Sequence, residues 1–328
     1  MILITGAAGY IGSHTALKFL EKDNEIVIFD NLETGHIETI ETLKNLGKVH
    51  FIKGDLKNKA DIDNVFEQYE IETVLHFAAY ALVEESVKNP KKYYQNNVIG
   101  TLNLLNSMLE NNVMKIVFSS TCATYGEPKY LPIDENHPQN PVNPYGQTKL
   151  TVEKILKDYD RAYNLKSIIL RYFNVAGCDD KIIIGEWHNP ETHLIPNVLK
   201  AAVKEDYCFN IYGTDYDTPD GTCIRDYVNV NDLAEAHFLA FKYLNDENKS
   251  DIFNLGTESG QSVKEIFNTC QKVLNKEIEV NIAEKRDGDP AKLFANSQKA
   301  RTILKWTPTH TIEDSIKTAY EWEKILKA

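Results

Sequence analysis

Short apolar runs alternate with amphipathic stretches through the first half of the chain. Ile2–Thr5, Glu25–Phe29, Val49–Lys53, Thr73–Phe77, Lys115–Ser119 and Ser167–Tyr172 have the length and the apolar or β-branched content of buried strands. Between them, apolar residues three and four apart predict helices over Ile11–Glu21, Lys59–Tyr69, Tyr94–Glu110 and Lys149–Tyr163. This is the rhythm of repeated βαβ units, so the pattern predicts an α/β fold with a doubly wound parallel sheet covered on both faces. Ligands of such a sheet lie beyond the carboxyl ends of its strands. The positions to inspect are therefore Asp30, Gly54-Asp55-Leu56, Ala78-Ala79, Ser120-Thr121 and Phe173-Asn174. After about residue 175 the pattern loosens into longer loops, which predicts a smaller mixed α/β substrate-binding part.

Two strings carry chemistry. Gly6-Ala7-Ala8-Gly9-Tyr10-Ile11-Gly12 follows the first strand and opens the first helix, where small residues permit a tight turn and free N–H groups face a pyrophosphate. The second predicted strand ends at Asp30, a carboxylate suited to a ribose 2′-hydroxyl and repulsive to a 2′-phosphate. That points to NAD rather than NADP. Tyr145 and Lys149 lie four apart at the start of a helical pattern and share one face. An ammonium beside a phenol favours the phenolate and brings it toward use as a general base.

Composition narrows the partners. At 328 residues the chain is long enough for one large domain or two intimate ones. Charged residues make up 26% and hydrophobic ones 42%, as in ordinary soluble globular proteins. A net charge of −12 without a basic block argues against nucleic acid and anionic membranes. No apolar run has the length of a membrane span, and the start Met1-Ile2-Leu3-Ile4 is too short for a signal peptide. Five widely spaced cysteines without a C-x-x-C motif fit a reducing cytoplasm.

Further segments sharpen the picture. The opening Thr5 to His14, His76-Phe77-Ala78-Ala79, Phe118-Ser119-Ser120-Thr121, the Tyr145/Lys149 pair and Leu170 to Gly177 resemble the extended short-chain dehydrogenase/reductases along nearly the whole chain. The segments Leu170 to Gly177, Asp220 to Tyr227 and Arg286 to Pro290 are similar to the sugar-nucleotide site of the members that epimerise UDP-hexoses at C4. The resemblance implies a Rossmann-type NAD-binding domain over residues 1–173 plus about 229–253, and a UDP-sugar-binding domain over 174–228 plus about 254–328. It also implies a homodimer formed through helices of the nucleotide domain.

Carried onto this sequence, the resemblance implies that Gly6, Gly9, Tyr10, Ile11 and Gly12 form the pyrophosphate turn. Asp30, Asn31, Leu32, Thr34 and Gly35 would hold the adenosine ribose, with Asp55 and Leu56 beside the adenine. Phe77, Ala78, Ala79, Asn96 and Phe173 would complete the NAD pocket. Thr121, Tyr145 and Lys149 would be catalytic and reach both cofactor and substrate. On the substrate side stand Asn174, His193, Leu194 and Leu293, with Tyr212 near the uracil, Asp289 near the uridine ribose, and Arg225 and Arg286 as a diphosphate clamp. The implied reaction interconverts UDP-galactose and UDP-glucose through a transient 4-keto sugar.

The chain departs from the family pattern in places. Thr121 stands where serine is frequent but keeps the hydroxyl; His193 replaces an asparagine, and Ala81 replaces a lysine found in some members. Leu293 stands where some epimerases carry a tyrosine, which either leaves room for an N-acetyl group or only packs the wall. A 4,6-dehydratase is the enzymatic alternative, but such enzymes carry Asp-Glu after the central Ser/Thr, where this chain has Cys122-Ala123. A nucleotide-sensing protein without activity is the other, and the intact Tyr145/Lys149 pair weighs against it. No metal is expected: His188 and His193 show no third ligand in sequence, and Asp215-x-Asp217-x-Pro219-Asp220-Gly221 has proline at a calcium-ligand position.

Overall fold

A computed structural model of the protein describes residues 1–204, 206–285 and 290–327. Seven parallel strands form the main sheet in the spatial order Asp251–Leu255, Lys166–Tyr172, Lys115–Ser119, Thr73–His76, Ile2–Thr5, Ile26–Asp30, Val49–Lys53. All six predicted strands are present, with ends shifted by a residue in three of them. The seventh, Asp251–Leu255, escaped prediction because Asn254 interrupts its apolar run. That asparagine is buried at no apolar loss: it accepts from the Tyr125 hydroxyl at 2.6 Å and donates to the Ile133 carbonyl at 2.9 Å.

The period-two pattern of the strands sorts their side chains onto two faces. Ile2, Ile4, Ile26, Ile28, Leu75 and Leu170 pack with Phe19, Ala236 and Ala240 from the helices Tyr10–Leu20 and Val230–Glu247. Leu3, Val27, Val74, Ile116 and Phe118 point the other way, against Leu104, Leu105, Val152 and Leu156. Neighbours of the first strand run outward on one side to Ile26–Asp30 and on the other to Thr73–His76, so the strand order reverses there and opens a crevice.

Two predicted helices need revision. The helix expected over Lys149–Tyr163 begins earlier and spans Pro144–Tyr163, because the Asn143 side chain accepts from Gly146 N at 2.8 Å and proline suits the first helical position. The helix expected over Tyr94–Glu110 is a π-helical segment, Tyr94–Gly100, followed by an α-helix, Thr101–Glu110. The wider turn carries Asn96 and Asn97 into the interior. Ile37–Leu46, which buries only Ile40 and Leu43, has too narrow an apolar stripe to have been predicted.

The later part builds on Ile224–Asn229, which pairs with Gly260–Ser262, Lys292–Leu293 and Asn174–Ala176. Ile195, Val198, Leu199, Phe209, Phe267 and Ile316 form its own apolar cluster. All five cysteines are unpaired. No helix among the described residues is long and apolar enough to cross a membrane.

Candidate active site

The glycine turn sits at the point where the strand order reverses. Gly6 adopts φ +78°, and a Cβ there would lie 2.5 Å from Ala78 N; a Cβ on Gly12 would lie 2.4 Å from Gly6 O. Both glycines are therefore required by backbone packing. Gly9 differs: a Cβ there would meet no described protein atom closer than 3.5 Å, and the residue lines the cleft. It also begins the helix Tyr10–Leu20, whose end no side chain caps. An uncapped helix start behind a residue without bulk is a fitting cradle for a pyrophosphate.

Asp30 is buried at the tip of its strand, where its carboxylate accepts from Ala8 N at 3.1 Å and Leu32 N at 2.8 Å. Burial raises its pKa, opposed by these two bonds. The carboxylate thus clamps the glycine turn to the following loop while still lining the cleft. Asn31, Thr34, Gly35, Asp55, Leu56, Phe77, Ala78, Ala79, Asn96 and Phe173 line the same cleft, as do Tyr10 and Ile11. Leu32 is the exception. In its left-handed conformation, φ +60°, it packs against the main core and is not among the cleft-lining residues.

The turn Cys122–Thr124 brings Thr121 to Tyr145. A Cβ on Gly146 would lie 2.5 Å from Ala123 O, so glycine after Tyr145 lets the helix start settle against this turn. The Thr121 hydroxyl accepts from Ala123 N at 3.1 Å and also hydrogen-bonds the Tyr145 phenol. Burial pushes that phenol well above its usual value and Tyr172 adds to the rise, whereas the bond to Thr121 eases it down. Lys149 is buried, donates to Ser119 O at 2.7 Å, and is lowered to about 7 by burial, with Glu153 opposing. Tyr145 and Lys149 stand one turn apart on the same helix; in this structure the Thr121 bond eases the phenol down, and Lys149 donates to the Ser119 carbonyl.

Sequence reasoning missed the supports behind these groups. Glu153, one turn beyond Lys149, receives Arg171 through Nε at 3.0 Å and Nη2 at 2.6 Å, and also accepts from Ser120 and Gln139. Arg171 Nη1 donates to the Tyr125 hydroxyl at 2.9 Å. Asn97 accepts from Tyr80 N at 2.9 Å and donates to Tyr80 O at 3.0 Å and Thr148 Oγ1 at 3.1 Å, tying the cleft loop to the Tyr145 helix. The four-residue spacing of Tyr145, Lys149 and Glu153 was the visible signal for the first of these.

The cleft continues without interruption into the later part, with a volume of about 1270 Å³. That exceeds the roughly 300–1,000 Å³ of a pocket for one small molecule and suits two ligands end to end. Asn174, His193, Leu194, Tyr212, Arg225 and Leu293 line it. Arg225 Nη1 donates to the carbonyls of Ile224 at 2.9 Å and Pro290 at 2.7 Å, which fixes the guanidinium in the wall. Leu293 packs with Cys122, Tyr125, Ile133 and Phe173 and faces the cleft as well. Arg286 and Asp289 lie outside the described residues. The segment with the proline at 219 is a polar turn in which Asp220 accepts from Thr222 N at 2.9 Å.

The comparisons agree with this geometry. A family model described as GDP-mannose 4,6 dehydratase matches residues 3–319. A UDP-glucose 4-epimerase of Halalkalibacterium halodurans is 50% identical over 98% of this chain and 95% of its own length. The chain belongs to the UDP-glucose 4-epimerase family. The crystal structure of the Brucella ovis family member in complex with NAD superposes with a TM-score of 0.93 at 42% identity, covering 98% of each chain. The UDP-Glc/GlcNAc 4-epimerase of Campylobacter jejuni gives 0.86 at 42% identity, covering 99% of each. After Thr121 stand Cys122, whose thiol burial raises to about 12, and Ala123, which has no titratable group.

Proposed function

We propose that this chain interconverts UDP-galactose and UDP-glucose by reversible oxidation at C4 of the sugar, using NAD that stays in the site. The reading is carried by a single cleft that joins an uncapped glycine turn and a strand-tip carboxylate to a buried Tyr145–Thr121 pair and then to a second, wide compartment. Bound NAD supplies the hydride exchange at C4. Tyr145 takes the proton of the 4-hydroxyl, and Thr121 shares it through their hydrogen bond. Lys149, titrating near neutrality, holds the nicotinamide ribose and the Ser119 carbonyl together. Arg225 with Arg286 binds the diphosphate, Asp289 the uridine ribose and Tyr212 the uracil, while Asn174, His193 and Leu194 border the sugar. A 4-keto sugar held by its diphosphate would turn in the wide compartment, take hydride back at C4 on its other face and recover the proton at the 4-oxygen.

This reading assigns residues 1–173 and about 229–253 to NAD and the remainder to the UDP-sugar. A homodimer fits it, since the helical segment Tyr94–Gly100 carries exposed Tyr94 and Ile99 away from the cleft lining. The five free cysteines suit a cytoplasmic setting. The test is conversion of UDP-galactose by the purified protein with no NAD added: catalytic turnover should continue, and denaturation should release the dinucleotide. Consumption of one external NAD per sugar converted would sink the proposal.

Substrate breadth rests on Leu293. Because this side chain faces the cleft and a relative acts on both UDP-glucose and its N-acetyl counterpart, we expect UDP-N-acetylglucosamine to be accepted too. Leu293→Tyr would then depress turnover of the N-acetyl substrate and spare UDP-galactose, since added bulk penalises the larger sugar. Parallel losses on both substrates, or no N-acetyl turnover in the parent, would return Leu293 to wall packing alone.

A further inference from the structure

The loop entering the helix Leu194–Val203 folds four side chains onto one point. Ligand atoms of Glu186, His188, Glu191 and His193 all lie within 4.8 Å of one another. This overturns the sequence-based reading that the two histidines have no further ligand nearby. His188 Nδ1 is 3.1 Å from Glu186 Oε1 and 3.6 Å from Glu191 Oε2. His193 Nδ1 is 2.6 Å from Glu186 Oε1 and 3.2 Å from Glu191 Oε1. An ion bound tetrahedrally through bonds of about 2.1 Å needs ligand atoms about 3.4 Å apart, a value that these spacings bracket.

Charge and anchoring point the same way. The carboxylate side chains are only 4% and 3% exposed, whereas the imidazoles are 31% and 50% exposed, so two negative charges lie beneath two nitrogen donors. One dication would balance the two carboxylate charges through the same four atoms. The loop is braced on both sides. Trp322 Nε1 donates to Glu186 O at 2.9 Å, His36 stacks on Trp187 with centroids 3.7 Å apart, and Glu191 Oε1 accepts from Thr192 N and His193 N at 2.7 and 2.8 Å.

We propose that Glu186, His188, Glu191 and His193 bind one divalent transition-metal ion of the zinc class, which fixes His193 at the wall of the substrate cleft. Two imidazole nitrogens with two carboxylate oxygens suit zinc, and magnesium or calcium prefer oxygen alone. Coordination through Nδ1 leaves the His193 proton on Nε2, so the ion also sets which ring nitrogen is the donor.

The experiment titrates cobalt(II) into untagged, NAD-loaded, chelator-stripped protein. One ion per chain should bind with the intense visible absorption of four-coordinate cobalt, displaced by zinc and not by magnesium. Loss of a group that merely supports a ligand weakens metal binding by about 10–100-fold, so His188→Gln and Glu191→Gln should each cost at least about tenfold. Circular dichroism checks that the variants are folded. Only the pale absorption of six-coordinate cobalt in the parent would overturn the proposal, whatever the variants do. So would equal affinity in the parent and a folded Glu186→Gln/Glu191→Gln variant, which would put the ion elsewhere.

Discussion

Replacing Tyr145 by phenylalanine is expected to lower turnover by roughly 10²–10⁴-fold, the usual range for loss of a general base, with UDP-sugar affinity little changed. The ring remains to fill its place between Thr121 and Tyr172, and only the oxygen that exchanges the proton is lost. The neighbouring hydroxyl sets the size within that range. Thr121 hydrogen-bonds the phenol, so in the phenylalanine variant it is the neighbouring group left to accept the 4-hydroxyl proton. Its own hydroxyl is too weakly acidic to ionise near neutrality, so it is a poor base. A Tyr145→Phe/Thr121→Val double variant should therefore fall below Tyr145→Phe alone. The check is kcat for UDP-galactose beside the dissociation constant of UDP, measured on NAD-loaded protein. Turnover near the parent level in Tyr145→Phe would move the base to Thr121, and a matching loss of UDP affinity would make the tyrosine a positioning group.

What could be read from the sequence was local. The glycine turn, Asp30 and the Tyr145/Lys149 pair are recognisable because their spacing along the chain is itself the geometry: a strand, a tight turn, a helix face. Groups that depend on distant partners were hidden. Arg171 lies in a strand that was predicted, yet nothing in that strand says that its guanidinium meets Glu153 on a helix and Tyr125 in a loop. Asn97 lay in a predicted helix, but its inward position comes from the π-helical turn, which an α-helical period does not anticipate. Glu186 and Glu191 were passed over because they approach the two histidines through irregular backbone, where no period relates sequence spacing to direction. Even the Tyr145/Lys149 pair was legible only in placement. Its electrostatics are set first by burial, then by Tyr172 and Thr121 of other elements acting on the phenol and by Glu153 acting on Lys149.

The hidden pair should also be the most costly to break. Arg171 and Glu153 are 3% and 4% exposed, and their two parallel bonds leave neither charge in contact with water. Removing one partner of such a buried pair strands the other charge and typically costs about 3–5 kcal/mol. Glu153→Gln keeps the shape of the side chain and removes its charge, so the loss read from urea unfolding should reflect the stranded guanidinium rather than a cavity. The carboxylate also holds Lys149 upward, against burial, so the variant should lower the Lys149 pKa below about 7 and leave less ammonium at neutral pH. Turnover of the folded variant should then decline as pH rises at a lower pH than in the parent. A paired replacement, Glu153→Leu with Arg171→Met, separates the two effects. With both charges gone, stability should recover most of the loss, because apolar pairs of similar volume are tolerated at such sites. The pH profile should stay shifted, since the carboxylate near Lys149 is still missing. A double variant as unstable as Glu153→Gln would mean that Ser120, Gln139 and Tyr125 depend on these two side chains for more than charge balance, and that the network, not the ion pair, holds the Tyr145 helix to the sheet.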